Sequence, residues 1–191
     1  YGNMSKVNSA PESRCTPTFY NGKLYVVSGM GELACISTAG KILWTVDYYT
    51  KYSATVPRFG ISESPVVVDN KVIVTPGGNI AAMVAFNAEN GNVVWETPSL
   101  KEGGQYVNPL LIENKGTKII ITHTPTWIIG VDASNGKILW KFDFGSVNPD
   151  KKGGKNYIHT PIYRDGFLFA ANGYGQTSAK IKINFDGRDP E

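Results

Sequence analysis

The sequence predicts an all-β protein, a β-propeller of four-stranded antiparallel blades with about four blades in its 191 residues. Three observations carry that expectation. The first is a strand–turn–strand unit that ends in tryptophan. GVDASNGKILW occupies 130–140, AFNAENGNVVW occupies 85–95, and CISTAGKILW, one residue shorter, occupies 35–44. In each, a glycine stands four positions before the indole: Gly40 and Trp44, Gly91 and Trp95, Gly136 and Trp140. A fourth copy, KIKINFDG, reaches Gly187. Asn135-Gly136 is a strong hairpin signal, because both residue types tolerate the positive φ of a primed turn. The second observation is a proline marker. Thr16-Pro17, Ser64-Pro65, Asn108-Pro109 and Thr160-Pro161 each open an apolar run, and successive prolines stand 48, 44 and 52 residues apart. Each run then meets a polar turn, at Asn21-Gly22, Asp69-Asn70, 113–118 and Asp165-Gly166. Two markers in constant order, at a period of roughly 40–50 residues with four strands per period, are the signature of a propeller. The third is composition: aromatic and β-branched residues abound, turn dipeptides are evenly spread, and long helical patterns are missing.

Taken in order, residues 1–13 are polar and turn-rich and read as a connecting segment. Strands A to D of the first blade are expected at 14–20, 23–28, 33–37 and 42–47. The second blade follows at 63–68, 71–75, 83–87 and 93–97, and the third at 107–112, 118–122, 128–132 and 138–142. The fourth has 159–163, 167–171 and 180–184 and lacks its outer strand. The whole is one domain, 1–191, with blades at about 14–47, 63–97, 107–142 and 159–191. Leu24 to Val27, Val72 to Val74, Ile119 to Ile121 and Phe167 to Ala170 are apolar without alternation. Such runs are expected to be covered on both faces, as blades between blades are. Trp44, Trp95 and Trp140 are expected to dock against a neighbouring blade, each burying enough ring to contribute a few kcal/mol.

Antiparallel strands put the A–B and C–D turns at one end of each blade. The B–C loops (29–32, 76–81, 123–127, 172–178) and the D–A crossovers (48–62, 98–106, 143–158) fall at the other. All A–B and C–D connections read as short except 113–116. Length and irregular composition therefore gather on one face, where binding loops on a rigid scaffold usually sit. The candidate binding residues at the mouth of the central channel are Arg14, Glu63, Tyr106, Asn108 and His159, which start the inner strands. Arg58, Trp127 and Tyr174 overhang it from the loops. The purely structural alternative pairs Arg14 with Glu63 as an ion pair between blades and gives His159 a backbone hydrogen bond.

The tryptophan unit resembles the docking repeat of the PQQ-like β-propellers, roughly A-x-D-x-x-T-G-x-x-x-W. Gly130, Asp132, Asn135, Gly136 and Trp140 match it with two small substitutions, and Ala85, Asn87, Asn90, Gly91 and Trp95 match with Asn for Asp. The family includes quinoprotein alcohol dehydrogenases, the barrel-assembly lipoprotein of bacterial outer membranes and polyvinyl-alcohol-dehydrogenase-like proteins. SRCTPTFYNGKLYVVSGMGELACI and PRFGISESPVVVDNKVIVTPGG look most like the last group. The resemblance implies a bacterial extracytoplasmic, periplasmic location. It implies a binding or scaffold module whose protein, small-molecule or polymer ligand sits on the loop face. The alternative it implies is a PQQ- and calcium-dependent alcohol dehydrogenase, for which Glu63 and Asn108 are metal-ligand types on the right face and Trp127 the one indole near a quinone. PQQ-like propellers generally have seven or eight blades, so the chain is expected to form about half of one. Its end blades would expose apolar faces that further blades or a second copy could cover.

Other classes lack their residues. The net charge is only +3, and the one basic cluster, Lys151, Lys152 and Lys155, reads as a solvated loop, so a nucleic-acid partner is not expected. No run is long enough for a transmembrane helix. Cys15 and Cys35 would sit two strands apart, about 10 Å at 4.8 Å per strand, beyond disulfide reach. His123 and His159 have no ligand-spaced partner for a metal. Gly77-Gly78 is not a phosphate loop, and no nucleophile elbow occurs.

Overall fold

The computed structural model describes residues 14–147, 156–173, 177–185 and 189–191. The expectations for 1–13, Lys151, Lys152, Lys155, Tyr174 and Gly187 fall outside these described residues. The first antiparallel sheet contains β1 (Thr18–Tyr20), β2 (Lys23–Val27), β3 (Glu32–Ser37) and β4 (Ile42–Asp47), in that order. A single turn of helix, α1 (Tyr48–Lys51), follows, capped by the Asp47 carboxylate on Thr50 N–H at 3.0 Å. The second sheet runs β5 (Val66–Val68), β6 (Lys71–Val74), then β8 (Ala81–Asn87) and β9 (Val93–Pro98). Between them β7 (Gly77–Gly78) leaves the sheet and pairs with β10 (Glu102–Gly103). The third sheet is β11 (Leu110–Asn114), β12 (Thr117–His123), β13 (Trp127–Asp132) and β14 (Ile138–Asp143). The fourth is β15 (Ile162–Arg164), β16 (Phe167–Ala171) and β17 (Ser178–Lys182). Glu191 exchanges backbone hydrogen bonds with Lys182 at 2.7 and 3.1 Å, beside β17.

The turn chemistry corrects one expectation. The primed two-residue turns are those between the first and second strands of each sheet. Asn21-Gly22, Asp69-Asn70, Lys115-Gly116 and Asp165-Gly166 all hold positive φ at both positions, from 47° to 81°. The third of these closes Asn114 on Thr117, so the connection expected to be long is as tight as the rest. At Asn135-Gly136 only the glycine is left-handed, at φ 80°. There Asp132 folds the turn instead, its Oδ1 accepting from Ser134 N–H at 2.8 Å.

The inner strands also start later than their apolar runs suggested. β1, β5, β11 and β15 each begin just after the proline, because proline offers no donor to a ladder. The residues ahead of it turn their N–H groups to other partners.

Successive sheets meet across three apolar seams, set by the alternation of side chains along each strand. In the first seam, Tyr25, Val27, Leu33 and Cys35 pack with Val72, Val74, Val84 and Phe86. In the second, Ile73, Met83, Ala85 and Trp95 pack with Ile120, Ile129 and Val131. In the third, Ile119, Ile121, Ile128 and Trp140 pack with Leu168, Ala170, Ile181 and Ile183. Val72 to Val74 and Ile119 to Ile121 are thus covered on both faces. Phe167 to Ala170 is not: Leu168 and Ala170 are sealed, while Phe167 and Phe169 are 38% and 47% exposed. The outward faces of the first and last sheets have no facing sheet among the described residues.

The indoles act across these seams. Trp44 Nε1–H donates to the Ala88 carbonyl and Trp95 Nε1–H to the Ala133 carbonyl, each at 3.1 Å and each in the next sheet. A β-bulge recurs beside each tryptophan, after the pairs Cys35–Trp44, Ala85–Trp95 and Gly130–Trp140, and re-aims the ring. Trp140 instead lies over Gly130, where a Cβ would come within 2.1 Å of Cε2. Cys15 and Cys35 are both free thiols.

Candidate binding face

The residues ahead of each proline are ordered by bonds that the repeat makes twice. One position before the proline, Ser64 Oγ accepts from Thr16 N–H at 2.9 Å, and Asn108 Oδ1 accepts from Ser64 N–H at 2.7 Å. Each side chain thereby ties its sheet to the preceding one. Two positions before the proline, Cys15 Sγ accepts from Val27 N–H at 3.3 Å, and Glu63 Oε2 accepts from Thr75 N–H at 3.1 Å. These side chains cap the end of the second strand in their own sheet.

Glu63 takes this cap inside. It is 1% exposed, and Oε2 also accepts from the Thr75 hydroxyl at 2.7 Å, while Oε1 has no partner. Burial pushes its carboxyl up to about 8, only partly opposed by the Thr75 bonds. Glu63 is therefore not a rim residue. Nor does it pair with Arg14, which stands exposed. His159 is exposed, and no hydrogen bond joins it to the backbone of the described residues. The buried histidine is His123, at 2% exposure, held against Tyr157 and Phe144 at centroid distances of 5.0 and 5.6 Å. Burial lowers its pKa to about 4.

Three crossovers converge on a groove of about 340 Å³, lined by Arg14, Phe59, Ser62, Tyr106, Asn156 and Ile158. Tyr106 is its hub. Its hydroxyl accepts from Phe59 N–H at 3.4 Å, its carbonyl accepts from Ser62 Oγ at 3.2 Å, and its N–H donates to the Tyr157 carbonyl at 3.2 Å. The Phe59 and Tyr106 rings lie 6.0 Å apart at 52°, and the Arg58 guanidinium stands 5.3 Å from the Phe59 centroid. The walls are braced from behind. β7 and β10 hold the second crossover to the second sheet, and Glu102 Oε2 accepts from Thr126 N–H at 3.1 Å and from the Thr124 hydroxyl. Gln105 Oε1 accepts from Tyr157 N–H at 3.0 Å, tying the second crossover to the third.

Of the sequence candidates, Arg14 and Tyr106 line the groove, Arg58 stands against the Phe59 ring, and Asn108 serves as a tie to Ser64. Trp127 belongs to the second seam, with Lys141 Nζ 4.7 Å from its ring. Phe59, Ser62, Asn156 and Ile158 were not singled out. Phe59 alone carried a signal, an aromatic residue between Arg58 and Gly60 late in the first crossover.

The calcium and quinone that the resemblance implies do not fit this set. Calcium takes six to eight oxygens. Glu63 offers one free oxygen on a carboxyl whose charged form is disfavoured, and the Asn108 amide oxygen is already held by a backbone N–H. Among the described residues no three His, Cys, Asp or Glu side chains gather to hold a metal. The Trp127 ring that would stack a quinone is half-buried against the second seam, with Lys141 over it.

Comparison with known proteins agrees with this architecture. A family model described as outer membrane protein assembly factor BamB matches residues 3–185. An uncharacterized protein of Rickettsia conorii is 28% identical over 176 residues, covering 86% of this chain and 38% of that protein. The chain therefore spans well under half the length of this relative. Among solved structures, BamB from Moraxella catarrhalis superposes with a TM-score of 0.57 at 19% identity, over 85% of this chain and 44% of that one. The computationally designed Ika4 protein gives a TM-score of 0.54 at 12% identity, over 94% and 99% of the two chains. Matched along nearly its whole length by that family model, the chain belongs to the BamB-type family of PQQ-like β-propeller repeats.

Proposed function

We propose that the chain is part of an extracytoplasmic binding and scaffold module, holding a partner on the face where its crossovers meet. The observation that carries this is the Tyr106 groove: three crossovers, from three different sheet junctions, supply one braced concavity. Bracing matters because a preformed surface spends less free energy on ordering when a partner docks. The sealed Glu63 carboxyl and the engaged Asn108 amide, the two calcium-ligand candidates from the sequence on this face, favour this reading over the quinoprotein dehydrogenase. The assembly-factor name of the matching family points the same way. The uncovered outer faces, with Phe19 64% and Ile162 66% exposed, suit seams with adjoining blades in a ring about twice this length.

The test is a binding panel read by NMR chemical-shift perturbation, comprising peptides, polyvinyl-alcohol oligomers, and PQQ with calcium. We expect perturbations at Arg14, Phe59 and Tyr106 with a peptide or polymer, none at the opposite-end residues Asp69 and Lys118, and no dye-linked alcohol oxidation. Saturable PQQ binding with turnover would overturn the scaffold reading.

A further inference from the structure

Among the described residues the groove has an uncompensated charge. Arg14 lines it and Arg58 borders it, both exposed and neither in an ion pair among the described residues. None of the six lining side chains is acidic. The carboxyl nearest Arg58 along the chain, Glu63, is sealed inside and holds its proton at neutral pH, so it does not cancel that guanidinium. With Arg14 the groove is lined by two rings at an open angle, an aliphatic Ile158 that is 43% exposed, and two small hydrogen-bonding groups, the Ser62 hydroxyl and the Asn156 amide, while Arg58 stands against the Phe59 ring.

Each part narrows the partner. A guanidinium presents a planar fork of donors that matches a carboxylate in two parallel bonds. Neither arginine is buried, so pairing with an anion needs little desolvation beforehand. Tilted rings with a gap on their solvent side take an apolar or aromatic side chain edge-on. A small molecule, by contrast, normally buries 70–90% or more of its surface in its pocket. Here Arg14 and Ile158 stand open to solvent, and the volume suits one or two side chains of a longer ligand lying across the crossovers.

We propose that the groove recognises an acidic peptide segment, with a carboxylate side chain on Arg14, Arg58 adding positive charge beside Phe59, and a neighbouring apolar or aromatic side chain against Phe59 and Tyr106. This rests on the scaffold reading above and names the partner chemistry at the same face.

The test uses fluorescence anisotropy with three labelled peptides of equal length and aromatic content, whose charged positions are all Glu, all Gln or all Lys. We expect the Glu peptide to bind, with affinity falling as salt rises, and the Gln and Lys peptides to bind at least tenfold more weakly. Combined Arg14→Gln and Arg58→Gln should weaken the Glu peptide by tenfold or more, while Lys137→Gln, at the far end of the third sheet, should leave it unchanged. Both arginines are exposed, and an unchanged melting temperature will show that the double variant folds. If the Gln or Lys peptide binds as tightly and Tyr106→Ala still weakens it, the acidic class is wrong and the binding face stands. If no peptide binds, or binding ignores Tyr106→Ala, the inference fails and the face is lost as the docking site with it.

Discussion

Burial dominates the titration of Glu63 and His123, and it acts on them in opposite directions. The ordinary carboxylate value near 4.5 is raised to about 8 at Glu63. Between those values the unfolded chain has released the proton and the folded chain retains it. Stability is therefore full below about pH 4.5 and is lost as the pH rises through about 8. At His123 the ordinary value of 6.5 falls to about 4, with neither ring nitrogen hydrogen-bonded. The unfolded chain takes up a proton that the folded chain refuses, so stability is full above about pH 6.5 and is lost as the pH falls toward 4. Urea unfolding of Glu63→Gln should show this directly. The amide keeps an acceptor for Thr75, and its advantage over the parent should grow between pH 5 and pH 9, by a few kcal/mol at most. The advantage of His123→Phe should grow in the other direction, from pH 7 to pH 4. A difference that stays flat with pH in either variant would mean that the group is wet or paired in solution.

At the scale of single elements, the turn glycines separate two physical requirements. Gly40 and Gly136 hold the same left-handed φ, 81° and 80°, in equivalent turns. A Cβ on Gly40 would meet nothing within 4 Å, whereas on Gly136 it would come within 2.6 Å of Trp95 Cε3. Gly40→Ala should cost about 1 kcal/mol from backbone strain alone. Gly136→Ala should cost about 2–4 kcal/mol, because the ring it strikes is wedged in the second seam. Equal losses in thermal or urea unfolding would mean that the indole does not rest on that turn. The same contrast shows what could be read from the sequence. The Gly–Trp and Pro–Pro spacings report local turns that recur, and they located all four sheets. The strand starts were misjudged because the N–H groups of Thr16 and Ser64 bond to side chains a whole unit away, which no local pattern records. β7 and β10 left even less trace. They join glycine backbones so closely that a Cβ on Gly77 would lie 2.5 Å from Gly104 N. Placing strand starts on one face led to Arg14 and Tyr106, but equally to Glu63, which is sealed inside, and to His159, which does not line the groove. It was silent on Ser62, Asn156 and Ile158, since crossovers have no period to follow.

For the whole molecule, the deciding feature is that no core is shared by all four sheets. Each inner sheet divides its side chains between two seams: Val72 and Val74 face one way and Ile73 the other, as do Ile119 and Ile121 against Ile120. Contacts therefore run only between neighbours, and stability should behave as a chain of linked interfaces rather than one cooperative block. Cavities cut into different seams ought then to have different reach. Leu168 is fully buried in the third seam, and Leu168→Ala should cost about 2–5 kcal/mol. That loss falls on the last sheet, which has one seam to hold it, so hydrogen exchange should quicken across β15 to β17 and little elsewhere. Ile73→Ala removes a comparable side chain from the second seam, where both partners are inner sheets. Exchange should then quicken on both sides, in β5 to β9 and in β11 to β14, because the molecule is weakened at its middle. The Tyr106 groove spans that middle, so Ile73→Ala should also weaken ligand binding there more than Leu168→Ala does. Uniform exchange throughout the chain in both variants would show that the four sheets unfold as one body and that the seams are not separable units of stability.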